Sequence, residues 1–230
     1  SNEHAAHYIH LTTRQEIQLH YGLVDSIIPV MRALREVDLA SRGGGGNTIR
    51  NIMCADDAGV AEGEPFDVTP YSVALTSRLI SEPDSWQLPR KFKITFSHES
   101  ADCNHATIHD IGYIAKIKDG KKGFKVYVAG GLGAKTEIGH LLYDWIEESE
   151  VYNVAKAVKT LFHKNGNRKN KHASRLRFLW QKLGEEEFLK KYHEEYAAVK
   201  AANHPPLELE EIDNTAVDPG ISVENPKDVK

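Results

Sequence analysis

Leu88-Pro89-Arg90-Lys91-Phe92-Lys93-Ile94-Thr95-Phe96 reads as a strand that carries cations on one face. Side chains alternate along a strand. Lys91 and Lys93 therefore share one face, while Phe92, Ile94 and Phe96 line the opposite, apolar one. Neighbouring like charges repel, which leaves two readings. Either this is an edge strand whose solvated lysines deter aggregation, or the lysines form one wall of an anion site.

The segments on either side place this strand in a sheet. Ile49 to Cys54 reads as a short strand, and Pro70 to Glu82 as a helix with Val73, Leu75, Leu79 and Ile80 apolar. Gly112 to Ile117 and Gly123 to Val128 read as strands joined by a hairpin turn with an Asp119-Gly120 signal. Upstream, residues 8–21 alternate as one half-buried strand with no partner hairpin before it, presenting Arg14, Gln18 and His20 on its polar side. Asp25 and Pro29 start a helix that carries Ile28, Met31, Leu34 and Val37. Beyond Gly133 the pattern predicts helices over 138–147, 151–164, 171–183 and 185–202. The expected fold class is α+β: a mixed sheet packed by helices, with a C-terminal helical extension. Residues 205–230 hold four of the nine prolines, are acidic and read as a linker or tail.

Composition narrows the function. With 40% hydrophobic and 27% charged residues, the 230-residue chain has an ordinary globular make-up. Its net charge of −4 gives no case for a nucleic-acid or membrane partner. No apolar run approaches the ~18 residues of a membrane span, and no secretory pattern opens the chain. The two cysteines, Cys54 and Cys103, are too few for a disulfide-stapled domain, so a cytoplasmic setting is expected. The chain begins Ser1-Asn2 without an initiator Met, and the expectation is a piece of something longer.

Several motifs have competing readings. Arg42-Gly43-Gly44-Gly45-Gly46-Asn47 is either a flexible loop or a cradle whose N–H groups face an anion, with Arg50 held rigidly beside it. It is neither a Walker loop nor a dinucleotide fingerprint. Gly130-Gly131-Leu132-Gly133 reads as a strand-to-helix turn. The basic run 163–177 lacks interleaved aromatics and reads as a solvated helix entry rather than a nucleic-acid patch. Cys103, His105 and His109 do not have zinc-finger spacing, so no metal ligands are expected, and no Ser–His–Asp triad can be assigned.

Taken together, six phrases in order resemble the siroheme-dependent nitrite and sulfite reductases. They are residues 11–20 (Leu11 to His20), Arg50-Asn51-Ile52, Leu88 to Lys93, Ile108 to Gly112, Gly123 to Gly133, and Gly166 to Asn170. That family is an internal duplication whose halves clasp a siroheme. Its second half carries four cysteines for a 4Fe-4S cluster, and cubane clusters need four thiolates. The resemblance implies the N-terminal half only. Residues 1–24 would be a remnant strand of a ferredoxin-like half-domain, 25–204 the siroheme-domain-like unit, and 205–230 a linker toward the second half. His98 to Cys103 resembles a degenerate counterpart of a cluster loop.

By the same resemblance, Arg14, Gln18, His20, Arg50, Lys91 and Lys93 are cofactor-binding. Arg50, Lys91 and Lys93 are catalytic, holding sulfite or nitrite for six-electron reduction to sulfide or ammonia. Siroheme and the cluster belong to the whole enzyme, and this chain alone is expected to hold neither and to be inactive. Its expected partners are the cluster-bearing half, a ferredoxin or flavoprotein donor, and the oxyanion, with no nucleic acid and no membrane. The rival expectation is a stand-alone, non-catalytic tetrapyrrole-binding or scaffold half-domain.

Overall fold

The computed structural model describes residues 3–98, 102–133 and 135–210. Among these, a four-stranded sheet runs in the order β3 (Ile94–Ser97), β4 (Ile111–Lys118), β5 (Lys121–Val128) and β6 (His140–Glu147). β3 and β4 are parallel, with Ile94 opposite Ile111, and the other two pairs are antiparallel. The sheet is therefore mixed, as expected. The β4–β5 hairpin turns at Asp119 and Gly120, both with positive φ (51° and 75°), which is the geometry that matches strand twist.

Helices α2 (Thr69–Ile80), α3 (Val151–Asn165) and α4 (Leu176–Ala201) contribute to the same core as the sheet. Phe124 is the hub of that core: its ring meets those of Phe66, Tyr71, Phe96 and Tyr113 edge-on at 5.1–5.8 Å. Phe96 stacks on Tyr113 at 4.8 Å. α4 bends at Gly184, where φ is 75°, close to the break expected between two helices.

Within residues 138–147, expected as helix, His140–Glu147 form strand β6 instead. An apolar run this short fits either period, and pairing decides it. Phe124 lies opposite Ile146, Val126 opposite Tyr143 and Tyr127 opposite Leu141. The Gly130–Gly133 loop consequently joins two strands, with Gly131 bridged to Glu137, and is not a strand-to-helix turn.

Residues 8–21 are not one strand. They fold back as a hairpin of β1 (Ile9–Leu11) and β2 (Ile17–Leu19), so the missing partner lies within the segment itself. Thr12 shapes the turn: its Oγ1 accepts from the N–H groups of Arg14 (3.2 Å) and Glu16 (3.3 Å). Neither β1, β2 nor the following α1 (Ile27–Arg35) buries a residue. Ile9, Leu11, Ile17, Leu23, Val24 and Ile28 are each more than half exposed.

Gly112 in β4 packs against the single 3-10 turn Ala106–Ile108, and a Cβ there would lie 2.1 Å from the Ala106 carbonyl oxygen. Backbone on both sides leaves no flexible atom to yield. Gly112→Ala is expected to cost about 2–3 kcal/mol, read as a lower denaturation midpoint at unchanged m-value. A midpoint equal to the parent's would contradict this packing.

Candidate functional site

β3 positions the site. The strand segment Ile49 to Cys54 forms only two bridges, Ile49 to Phe92 and Met53 to Thr95, both parallel. Those bridges cover the outer side of β3. The Arg50 N–H donates to the Phe92 carbonyl (2.9 Å), and the Phe96 N–H to that of Met53 (2.8 Å). The segment that carries the lysines is therefore not a bare sheet edge. Ile94 to Ser97 are all buried, and Phe92 is fully buried just before them. Lys91 and Lys93 precede the strand proper and are half-buried on the other face.

Arg14 reaches this face from the β1–β2 turn. Its side chain is almost wholly buried, and its Nη2 donates to the carbonyls of Asn51 and Ile94. Asn51 returns a bond, Nδ2 to the Arg14 carbonyl at 3.0 Å. Arg50 is held by the glycine loop, though by the opposite polarity from that expected. The loop offers carbonyls, with Gly44 O 2.7 Å from Nη1 and Gly46 O 3.1 Å from Nη2. The loop thus orients a guanidinium through its carbonyls.

Two further cations join them. Arg175, just before α4, is paired with fully buried Asp110, Nη2 to Oδ2 at 2.8 Å. Arg177 is 5% exposed and lies against the Gly130–Gly133 loop, where a Cβ on Gly131 would be 2.7 Å from its Nη1. The basic run thus turns its last two arginines inward, while Lys164 and Arg168 stay exposed as expected.

Electrostatics couple these groups to one another. Burial and then the charges of Arg14, Arg175 and Lys91 lower the Lys93 ammonium to about 8, against a smaller opposing pull from Asp110. Burial, Arg175, Arg50 and Arg90 lower Lys91. Burial lowers Arg14 to about 10, and it also lowers Arg50 and Arg177. His109 is pushed down to about 4 by burial, despite the bond between its Nδ1 and the His105 carbonyl (2.7 Å). A cluster of destabilised cations gains from any anion placed among them.

Buried donors without partners point the same way. Among the described residues the guanidinium members of this set are Nε and Nη1 of Arg14, Nε of Arg50, and Nε and Nη1 of Arg177. Buried N–H groups left unpaired cost free energy, and carboxylates or small oxyanions are the ligands whose bonds to guanidinium are strongest.

The structure brings Arg14, Arg50, Lys91 and Lys93 together. It does not bring Gln18 and His20 with them. Gln18 is exposed on β2, and His20 stacks with Tyr8 (5.9 Å) and meets His10 (5.7 Å) on the hairpin. Asp110, Arg175 and Arg177 are site residues that the sequence reading did not assign. Asp110 lies in the quoted phrase Ile108 to Gly112, but a buried ion pair 65 residues apart leaves no local signal. Cys54 is half-buried and Cys103 exposed, both free. Residues 99–101 of the His98–Cys103 stretch lie outside the described residues. Among the described residues no group of three or more His, Cys, Asp or Glu is arranged to hold a metal ion, and no helix is long and apolar enough to cross a membrane.

Residues 45–201 match the family model described as the nitrite and sulphite reductase 4Fe-4S domain. The chain is 33% identical over 195 residues to the assimilatory ferredoxin-dependent nitrite reductase of Haloferax mediterranei, covering 82% of this chain and 33% of that protein. It is 32% identical over 206 residues to the ferredoxin–nitrite reductase of Synechococcus elongatus, 86% of this chain and 40% of that one. It is 29% identical over 197 residues to a ferredoxin sulfite reductase of Mycolicibacterium paratuberculosis, 85% of this chain and 35% of that one. Among solved structures, the NirA protein of Mycobacterium tuberculosis superposes with a TM-score of 0.75 at 25% identity, covering 91% of this chain and 37% of that chain. The chain thus spans a third to two-fifths of the length of these curated relatives.

Proposed function

Because the chain belongs to the nitrite and sulphite reductase 4Fe-4S domain family, we propose that it is the cation-bearing half of a siroheme-dependent sulfite or nitrite reductase. The observation that carries this reading is the buried set of unpartnered guanidinium donors on Arg14, Arg50 and Arg177, beside two half-buried lysines. Siroheme is a polycarboxylate, and this donor set fits it. A 4Fe-4S cluster does not fit the residues present, because two cysteines cannot supply four thiolates. Cluster ligation is therefore assigned to other residues of the enzyme. The exposed apolar surface of β1, β2 and α1 supports a further half packing there. The relatives named as ferredoxin-dependent make a ferredoxin the favoured donor.

When bound, siroheme would supply the iron and the electron path for reducing the oxyanion. The chain's own residues do the rest. Arg14, Arg50 and Arg177 hold carboxylates through charge-assisted bonds. Lys91 and Lys93 offset the negative charge of sulfite or nitrite in a site with little water, where such stabilisation is strongest. The Lys93 ammonium, lowered to about 8, is acidic enough to release a proton near neutral pH to an oxygen leaving as water.

The test uses the natural protein that contains these residues. It should carry siroheme in its visible spectrum and reduce sulfite or nitrite with reduced methyl viologen as donor. A pigment-free protein that reduces neither would overturn the reading. Pigment retained without turnover would replace it with the non-catalytic tetrapyrrole-binding one.

A further inference from the structure

We propose that Asp110, locked to Arg175, is the positioning residue that aims Lys93 into the cationic site; this rests on the reductase reading above. Three observations converge. First, Asp110 is fully buried and takes N–H donors from two distant segments. Its Oδ2 accepts from the Lys93 backbone N–H at 2.7 Å and from Arg175 Nη2 at 2.8 Å, and its Oδ1 accepts from Arg175 Nε at 3.4 Å. Second, the other backbone group of Lys93 is tied to the same place. Its carbonyl accepts from the N–H of Ile111, the next residue after Asp110, at 3.1 Å. Lys93 is thus clamped at both its N–H and its C=O by two consecutive residues. Third, the flanking side chains, Phe92 and Ile94, are fully buried. Alternation then sends the Lys93 side chain to the opposite face, where Arg14 and Lys91 act on it.

A buried carboxylate is costly unless it is paired and hydrogen-bonded. Here it is both, and it sits among several positive charges. The groups facing Lys93 are Arg14 from the β1–β2 turn, Lys91 from its own segment, His109 and Asp110 from the stretch before β4, and Arg175 from the start of α4. Asp110 alone among them is an anion. It therefore does two things that no cation in the cluster can do. It fixes where Lys93 leaves the backbone, and its charge opposes the lowering of the ammonium by burial and the neighbouring cations. Arg175 holds the carboxylate in place through two nitrogens.

Asp110→Asn separates the two roles, since Asn can still accept from the Lys93 N–H but carries no charge. With lysine side-chain nitrogens labelled, the Lys93 ammonium of the 230-residue chain is expected to titrate near 8 in the parent and about one unit lower in D110N. In the natural protein, D110N should shift the alkaline limb of the rate profile down by the same amount, with siroheme content unchanged. A Lys93 titration that does not move in a folded D110N would overturn the proposal.

A measurement on the parent covers a variant that fails to fold. The Lys93 amide, although it precedes the strand, should exchange with solvent as slowly as the amides of β4. Exchange at the rate of the Gly43–Gly46 loop would overturn the clamp. Both readouts are made without siroheme. Failure of the reductase reading, seen as no pigment and no turnover in the natural protein, is therefore told apart from failure of the positioning role.

Discussion

Lys93→Gln is expected to lower turnover of sulfite or nitrite by about 100- to 1,000-fold, the usual cost of removing one preorganised electrostatic partner of a reacting oxyanion. Siroheme content and the melting midpoint should stay at the parent's values. Lys93 is half-buried, and among the described residues its Nζ is in no hydrogen bond or ion pair on which a neighbour's position depends. The pH profile makes the expectation sharper. Burial and the positive charges of Arg14, Arg175 and Lys91 bring the ammonium from 10.5 to about 8. The protonated form that can give up a proton is thus full at pH 6 and falls tenfold per unit above about 8. In the parent, kcat/KM should fall along that limb. Lys93→Arg keeps the charge but not the acidity, because guanidinium stays protonated throughout. It should recover anion affinity and lose the limb near 8. A K93Q enzyme within threefold of the parent at pH 7 would remove Lys93 from the chemistry.

Lys159→Met is expected to destabilise the fold by about 3–5 kcal/mol, the range seen when one partner of a buried ion pair is deleted. Lys159 is fully buried on α3 and donates to Glu82, to Asp84 Oδ1 (2.6 Å) and to Ser85 Oγ (2.9 Å). Without it both carboxylates keep only Lys156, 2.8 Å from Glu82 and 3.3 Å from Asp84, and the Tyr152 hydroxyl, 2.6 Å from Glu82.

The acid dependence has a definite sign. Burial alone would raise Glu82 and Asp84, but the two ammoniums outweigh it and both are lowered. A carboxylate lowered in the fold contributes stability above its unfolded value and loses it as pH falls through the folded one. The gap between parent and K159M should therefore be widest near neutral pH and should close in acid. Denaturant midpoints at pH 7 and below pH 4 measure this. A constant gap would show that packing, not charge, is what Lys159 supplies. The combination Glu82→Gln, Asp84→Asn, Lys156→Met and Lys159→Met should recover most of the loss, because all four charges of the cluster are then removed together.

Much of the fold was legible because it depends on local pattern. Phe92, Ile94 and Phe96 alternate, and all three are fully buried. The Asp119-Gly120 turn and helices α2 and α3 follow from turn chemistry and apolar spacing alone. The segments that were misread are those where pairing outweighs pattern. The eight residues of β6 fit a helix until Phe124 and Val126 are placed opposite them. Residues 8–21 alternate throughout, so only the Thr12-centred turn reveals two strands.

The site divides in the same way. The sequence by itself determined that Lys91 and Lys93 share a face, because the two-residue period of a strand is a property of the backbone. It also determined the family, because several phrases in order are specific where one is not. Only the tertiary structure decided that the lysines lie half-buried beside other cations rather than on a bare sheet edge, since that depends on residues 49–53 covering β3. It alone showed that the glycine loop offers carbonyls to Arg50, and that Arg175 crosses to Asp110. These contacts join residues far apart in the chain, and no local periodicity encodes which distant charge will be desolvated beside which.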